Sequence, residues 1–418
     1  MRQRLIAAAS AAALALGVGV ATASTALGAT SHTLTVWLQV DAQNGWPQLV
    51  TAANNQFESQ NPGWTVNIDY QQWSTHLGNF NATIAGGNEP DVIEMGNTET
   101  TSYMASGAFA PLNASQFPNS SHWLGGLKAS GTYMGKLYAV PYYAGSRVVT
   151  YRADLFKKAG IKKAPTSLAQ MQADLVKVGK KEKKVKGFSP LYVGGEDWYT
   201  ALSFVFDHHG SIAKYEHGKW VGTLDSKNSI AGLTAYLNFF NATEPKSTAK
   251  LDGTSPYAYT VYSEGKTAAM YGPAWFKGSV TNKKYLADTK QMVMPSYVKG
   301  QPMPGFLGGS DLAIPAKSSN QSQAAQWIAD YTSTTSEQGL QTAGNIPNAT
   351  NLLTKGDVND EAAAQSWFVP QAVNWVEVEN ANILKTLLGD MLTGQLSVKQ
   401  AATTASENIA QTLNQPAS

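Results

Sequence analysis

The 418-residue chain contains no cysteine. That excludes disulfides, thiolate metal sites and cysteine nucleophiles together, although export would have permitted disulfides. It equally excludes a lipid attached through a cysteine at the end of an export signal. Charge is sparse: Asp, Glu, Lys and Arg make up 14% of the residues and sum to +2. Removing a leader that carries Arg2 and Arg4 and no acid brings the remainder close to neutral. A neutral surface argues against nucleic acid or anionic membrane as partner. The one basic block, Lys180, Lys181, Glu182, Lys183, Lys184, Val185 and Lys186, reads as a solvated helix end or turn. After the leader, no segment approaches ~18 consecutive apolar residues, so the remainder is expected to be soluble.

Catalytic signatures are missing as well. There is no G-x-S-x-G elbow, no H-E-x-x-H, no P-loop and no G-x-G-x-x-G. Histidine is scarce, at six residues, and His208 and His209 are adjacent, so both cannot comfortably face one metal. No metal and no cofactor is expected. Glu196 and Asp197 are neighbours, whereas paired carboxylates for glycoside hydrolysis stand about 5–9 Å apart across a sugar. Carboxylates converging from distant segments are left open.

What the chain does have begins with an export signal over residues 1–29. Two arginines precede an Ala/Leu-rich run at 5–20, and small residues follow, with cleavage expected after Ala29. The remaining length of about 390 residues predicts two domains or one large one. Aromatics reach 10% with eleven tryptophans, more than a core needs, which leaves packing and ligand-facing surfaces as competing explanations.

Residues 57–112 are the most informative stretch. They read helix end, strand, helix, strand, helix, with turn chemistry at Asn61-Pro62-Gly63 and at Gly86-Gly87-Asn88-Glu89-Pro90. The strand DVIEMG opens onto a polar tip, Asn97-Thr98-Glu99, and open α/β sheets bind ligands beyond the carboxyl ends of their strands. Upstream, the run 32–40 predicts a buried strand. A helix then carries Trp46, Leu49, Val50, Ala53 and Phe57 on one face, with Pro47 in its first turn. This alternation predicts a parallel α/β sheet. Further helices are predicted over 167–180, with Ser167 as N-cap, and over 320–340. A C-terminal one starts at a Ser397/Gln400 capping box, with Val398, Ala401, Ala402, Ala405, Ile409 and Leu413 on one face.

Phe57, Asn61, Pro62, Gly63, Val66, Gly87, Pro90, Asp91 and Val92 together resemble a pattern of the extracellular solute-binding proteins of carbohydrate ABC importers, the maltose-binding-protein branch. The order Gly394, Ser397, Ala401 near the C-terminus is similar to the same family. The resemblance implies a periplasmic-binding-protein-like α/β fold, two α/β lobes joined by a multi-crossing hinge with the ligand cleft between them. Its crossings would fall at 143–147, where a small polar joint separates two strands, near 306–311 and near 344–348. The first lobe would then comprise 30–145 plus 311–345, and the second 146–310 plus 346–418.

A sugar offers apolar C–H faces and a rim of hydroxyls, so its site needs flat aromatics and polar groups that replace water. An unmatched buried polar group costs ~1–3 kcal/mol. Gln39 and Asp41 lie at the end of the first strand, beside a Trp37 that alternation equally assigns to the core. Asn97, Thr98 and Glu99 occupy the strand tip, where Asn97 or Thr98 doubles as a helix cap. Tyr143 and Arg147 flank the first crossing; Arg147 either donates to hydroxyls or braces the hinge against a carboxylate. Glu196 and Trp198 resemble the family's second-lobe loop that supplies an acid and an aromatic. Trp275 resembles its stacking tryptophan, displaced by an inserted Ala274. Gly309, Ser310 and Asp311 combine a hinge with polar groups, and Trp375 matches a late aromatic element that is equally open to core packing. The implied function is capture of a di- or oligosaccharide outside the cytoplasmic membrane by a monomeric protein that hands it to an ABC permease. A periplasmic or secreted location without a cysteine-linked lipid is expected. The alternative is a secreted carbohydrate-active enzyme, a glycosidase or lyase.

Overall fold

The computed structural model describes residues 32–416 except Ser74, Thr254, Ser255 and Ala364. The expected export signal lies outside the described residues. Two sheets, each with its own core, organise the chain.

The first sheet has six strands in the order Ile346–Pro347, Ala139–Gly145, Gly308–Ala313, Val92–Gly96, His32–Gln39 and Trp64–Gln71. The last three run parallel. Gly308–Ala313 and its neighbours are antiparallel, so the sheet is mixed where the helix–strand alternation predicted a parallel one. The two strands that oppose the parallel ones, Gly308–Ala313 and Ile346–Pro347, return from the other half of the chain, which local periodicity does not reveal. Alternation sorts the first strand: Leu34, Val36 and Leu38 are buried under Val50, Ala53 and Phe57, while Trp37 packs on the opposite face with Phe80, Ile93 and Met95. The helix Pro47–Gln60 starts with proline in its first turn, where the missing N–H costs nothing.

The second sheet is antiparallel, with Arg147–Arg152 between Ala269–Pro273 and Thr289–Met292. Helices Leu168–Lys181, Trp198–Asp207, Lys227–Thr243, Ile383–Thr393 and Val398–Leu413 build its core around Leu175, Phe204, Leu233, Phe240, Leu388 and Ile409. Ser167 caps the first of these, and Ser397 with Gln400 forms a capping box on the last. The predicted helix over 320–340 is two, Gln321–Tyr331 and Thr334–Thr342. Ser333 breaks it, because its side chain accepts from the Ser336 N–H and starts a new helix.

The chain passes between the sheets several times. Strand Ala139–Gly145 continues through Pro141 to Gly145, so the first joint narrows to Ser146. Pro141 is tolerated there because the pairing shifts register between Ser310 and Asp311, a bulge. The second passage is at Leu307, between Gly305–Phe306, which pairs with Ser366–Trp367, and Gly308–Ala313. Ile346 and Pro347 still pair in the first sheet with Ala144 and Tyr143. Asn348 is held there too, its backbone N–H donating to the Glu337 carboxylate and its side-chain amide to the Pro141 carbonyl. The return to the second sheet therefore follows 344–348 rather than lying within it. Among the described residues no helix is long and apolar enough to cross a membrane.

Candidate functional site

The first two passages lie at one end of the first sheet, the end where its three parallel strands also finish. Each parallel strand stops in a polar tip: Asp41 in the first turn of Val40–Gly45, Trp73 after Trp64–Gln71, and Asn97–Glu99 before Thr100–Ala105. Open-sheet geometry predicts a crevice there.

These tips are wired together. The Trp73 indole N–H donates to the Asp41 carboxylate. His76 is buried beneath, with Nδ1 2.8 Å from the Trp73 carbonyl and Nε2 2.8 Å from Glu99 Oε2. Both partners are acceptors, so both ring nitrogens donate. Burial disfavours the imidazolium, but the Glu99 hydrogen bond and charge outweigh it and hold His76 above its ordinary pKa. Glu99 also accepts from the Gly96 N–H at 3.0 Å, which fixes its carboxylate. The Trp73 ring meets His76 edge-on at 5.1 Å and remains 39% exposed.

Opposite stands the second sheet. Its strand Ala269–Pro273 runs toward the crossing, Pro273 pairing with Arg147, and Ala274 donates its N–H to the Ser146 carbonyl at 3.1 Å. Trp275 follows at once, 51% exposed, on the rim of this lobe. Among the described residues Trp73 and Trp275 are the two exposed tryptophans, one from each side.

Glu379, in the helix Trp375–Asn380 of the second side, feels the charge of Glu99 on the first. Burial raises the Glu379 carboxyl to about 7; the Trp375 indole N–H donates to it and opposes the rise, and the charge of Glu99 reinforces it. Glu99 also adds to the burial and the Glu379 and Asp197 charges that push up the Tyr199 hydroxyl. These charges link residues of the two sides.

The expected residues divide. Asp41, Thr98, Glu99 and Trp275 lie at its partly exposed edges. Arg147 braces the floor: it donates to Asp197 and to Thr200 Oγ1 at 3.1 Å, and lies 5.5–5.6 Å from the Tyr271 and Tyr199 rings. Tyr143 is buried edge-on against Trp46. Gly309 has no side-chain role, because a Cβ there would meet the Tyr143 carbonyl oxygen at 1.9 Å. Gln39 is buried, its N–H donating to Glu94 Oε2.

Several others are corrected to internal roles. The Asn97 amide donates to the Leu307 carbonyl and pins the second crossing. Ser310 is buried within the sheet. Asp311 is fully buried with its two oxygens accepting from Thr100 and Ser130. Glu196 turns toward Lys250, Lys385 and the Gly389 helix face. Trp198 and Trp375 pack in the second core at 6.3 Å from each other, and Tyr199, stacked on Trp198 at 3.8 Å, is partly buried.

Trp73, His76, Tyr199 and Glu379 were not foreseen. Trp73 follows a strand just as Asn97 does, so the strand-tip rule reaches it; Glu379, in a late helix, carries no local signal. A groove of about 680 Å³ between Leu124, Thr350, Phe206 and Trp367 holds none of the expected residues. Among the described residues no group of three or more metal-capable side chains occurs.

Comparison with known proteins agrees with this architecture. The diacetylchitobiose binding protein DasA of Streptomyces coelicolor is 29% identical over 378 residues, 88% of this chain and 87% of that protein. A maltooligosaccharide ABC transporter solute-binding lipoprotein of Streptococcus pneumoniae is 26% identical over 300 residues, 67% of each chain. The sugar-binding protein MalE of Xanthomonas citri superposes with a TM-score of 0.78 at 18% identity, covering 91% of this chain and 97% of that one. The GacH receptor of Streptomyces glaucescens gives 0.74 at 20% identity, covering 92% and 98%. These structures share the two-lobed α/β fold. Residues 38–338 match the family described as bacterial extracellular solute-binding protein, and the chain belongs to that family.

Proposed function

We propose that this chain is the substrate-capturing component of an ABC sugar importer, binding a di- or oligosaccharide outside the cytoplasmic membrane and presenting it to a permease. The observation that carries this reading is the pair of exposed tryptophans, Trp73 and Trp275, on opposite sides of a crevice flanked by Asp41, Glu99 and Glu379. Indole faces stack on the C–H faces of pyranose rings, and the carboxylates accept from hydroxyls. With a pKa near neutrality, Glu379 serves as donor or acceptor. The relatives from Streptomyces and Streptococcus are named for diacetylchitobiose and maltooligosaccharides, which supports an oligosaccharide here. The family is one of binding proteins, which sets aside the secreted-enzyme alternative.

We take 32–145 with 308–353 as the first lobe and 147–306 with 358–416 as the second. A ligand touching both lobes binds the closed form more tightly and shifts the hinge equilibrium toward it. The contact set is Asp41, Trp73, Thr98, Glu99, Tyr199, Trp275 and Glu379, over a floor of Tyr143 and Arg147. Export by the leader, a monomeric state and the absence of a cysteine-linked lipid complete the reading. A thermal-shift and calorimetry screen over chitooligosaccharides and maltooligosaccharides tests it. Saturable binding with the sugar recovered intact is expected; release of shortened products would mark an enzyme.

A further inference from the structure

Charge is unevenly placed along the second lobe. Residues 157–186 hold ten lysines against two acids, Asp174 and Glu182, a net of +8. The whole chain sums to +2, all of it from Arg2 and Arg4 of the leader, so the residues outside both segments carry −8. A near-neutral total conceals this segregation. All ten lysines are exposed. Among the described residues only two of them are in ion pairs, Lys158 with Glu182 at 2.6 Å and Lys177 with Asp174 at 2.8 Å. Lys157, Lys158, Lys180 and Lys181 close the helices Ala153–Lys158 and Leu168–Lys181, where the helix dipole favours cations. Lys162, Lys163, Lys183, Lys184 and Lys186 lie outside helices and have no such role.

The fold gathers these lysines at one pole. Ser189 bridges Thr267 and Tyr192 bridges Met270, both in parallel, and the neighbouring strand Ala269–Pro273 runs toward the crossing, where Pro273 pairs with Arg147. The chain leaving Lys186 therefore enters the lobe at the end away from the crevice. Arg147–Arg152 runs out to the same end, and helix Ala153–Lys158 follows it at once. The Lys158–Glu182 pair then ties that helix to the 180–186 block.

Like charges packed together repel, and an anionic surface relieves that repulsion. One side chain in the block favours a bilayer over a dissolved polyanion: Val185, 38% exposed between Lys184 and Lys186. At a bilayer the lysines meet headgroup phosphates while an apolar side chain enters the headgroup and acyl boundary. A dissolved polyanion offers valine no such environment. We propose that this pole docks reversibly on the anionic lipid headgroups of a membrane, holding the protein at the bilayer surface with its crevice free. The chain has no cysteine to carry a lipid, and the pole supplies proximity by charge instead. The inference goes beyond sugar capture and does not depend on it.

Co-sedimentation of the full mature chain with vesicles of phosphatidylcholine, alone or with about 30% phosphatidylglycerol, tests this. At low salt the anionic lipid is expected to raise the bound fraction at least about fivefold, and about 0.5 M salt should abolish the gain by screening. Replacing Lys181, Lys184 and Lys186 together by Glu should remove it, whereas replacing Lys128, Lys136 and Lys355 of the first lobe by Glu should leave most of it. Val185→Ser should lower vesicle binding about two- to threefold and leave binding to soluble polyphosphate unchanged. The melting temperature of each variant verifies folding, since all the replaced residues are exposed. Equal binding to neutral and anionic vesicles, or equal losses from the two lysine triples, overturns the docking pole. Polyphosphate binding as tight as vesicle binding, with Val185→Ser altering neither, overturns the membrane as its partner.

Discussion

Asp311 and Trp275 show how burial separates support from contact at the level of single residues. Burial raises the Asp311 carboxyl to about 7 even though Thr100 and Ser130 donate to it. A folded-state pKa above the unfolded value of about 3.9 favours the fold at low pH, and this contribution is lost as pH rises through about 7. Glu94 and Glu244, both raised to about 7 by burial, act in the same direction. Asp311→Asn should therefore flatten the fall in stability between about pH 4 and pH 7, by on the order of 1–3 kcal/mol in urea denaturation. An unchanged slope would show that Asp311 is not the titrating group. Trp275→Ala should abolish or greatly weaken the sugar-induced thermal shift and leave the unliganded melting point within about 2 °C, since exposed substitutions cost little. Trp375→Ala, by contrast, empties a core position, 1% exposed, and should cost about 3–5 kcal/mol. Comparable stability losses for the two tryptophans would refute their assignment to different roles.

At the level of elements, the strand Gly308–Ala313 holds the hinge together. It lies between Ala139–Gly145 and Val92–Gly96, and Gly309 lets the Tyr143 carbonyl approach closely. Gly309→Ala would force two paired strands apart next to both crossings. A loss of at least ~1–3 kcal/mol is expected from overpacking, read by chemical denaturation, together with weaker sugar binding. Full stability in this variant would mean that the strands separate freely. Helices whose ends carry cap chemistry were legible from sequence, as Ser167 and the Ser397/Gln400 box demonstrate. The split at Ser333 was not, because the apolar spacing continues across it and only the Ser333–Ser336 cap interrupts the backbone.

For the molecule as a whole, closure is the property to measure. Small-angle scattering should report a smaller radius of gyration once a bound sugar saturates the crevice. The melting temperature should rise with the logarithm of free sugar, following RT ln(1 + [L]/Kd). Tight binding with no change in dimensions would refute the hinge mechanism while retaining the site. Sequence by itself determined the absence of thiol chemistry, the strand tips at Asp41 and Asn97–Glu99, most helix starts, and the family, because these depend on composition and on neighbours a few residues apart. Tertiary structure alone decided that Asp311, Trp198 and Trp375 turn inward, that Glu379 meets the field of Glu99, and that Trp73 stays exposed while bonded to Asp41. The physical reason is that the direction of a side chain at a crossing depends on which distant strand pairs beside it, and a local pattern holds no record of that partner.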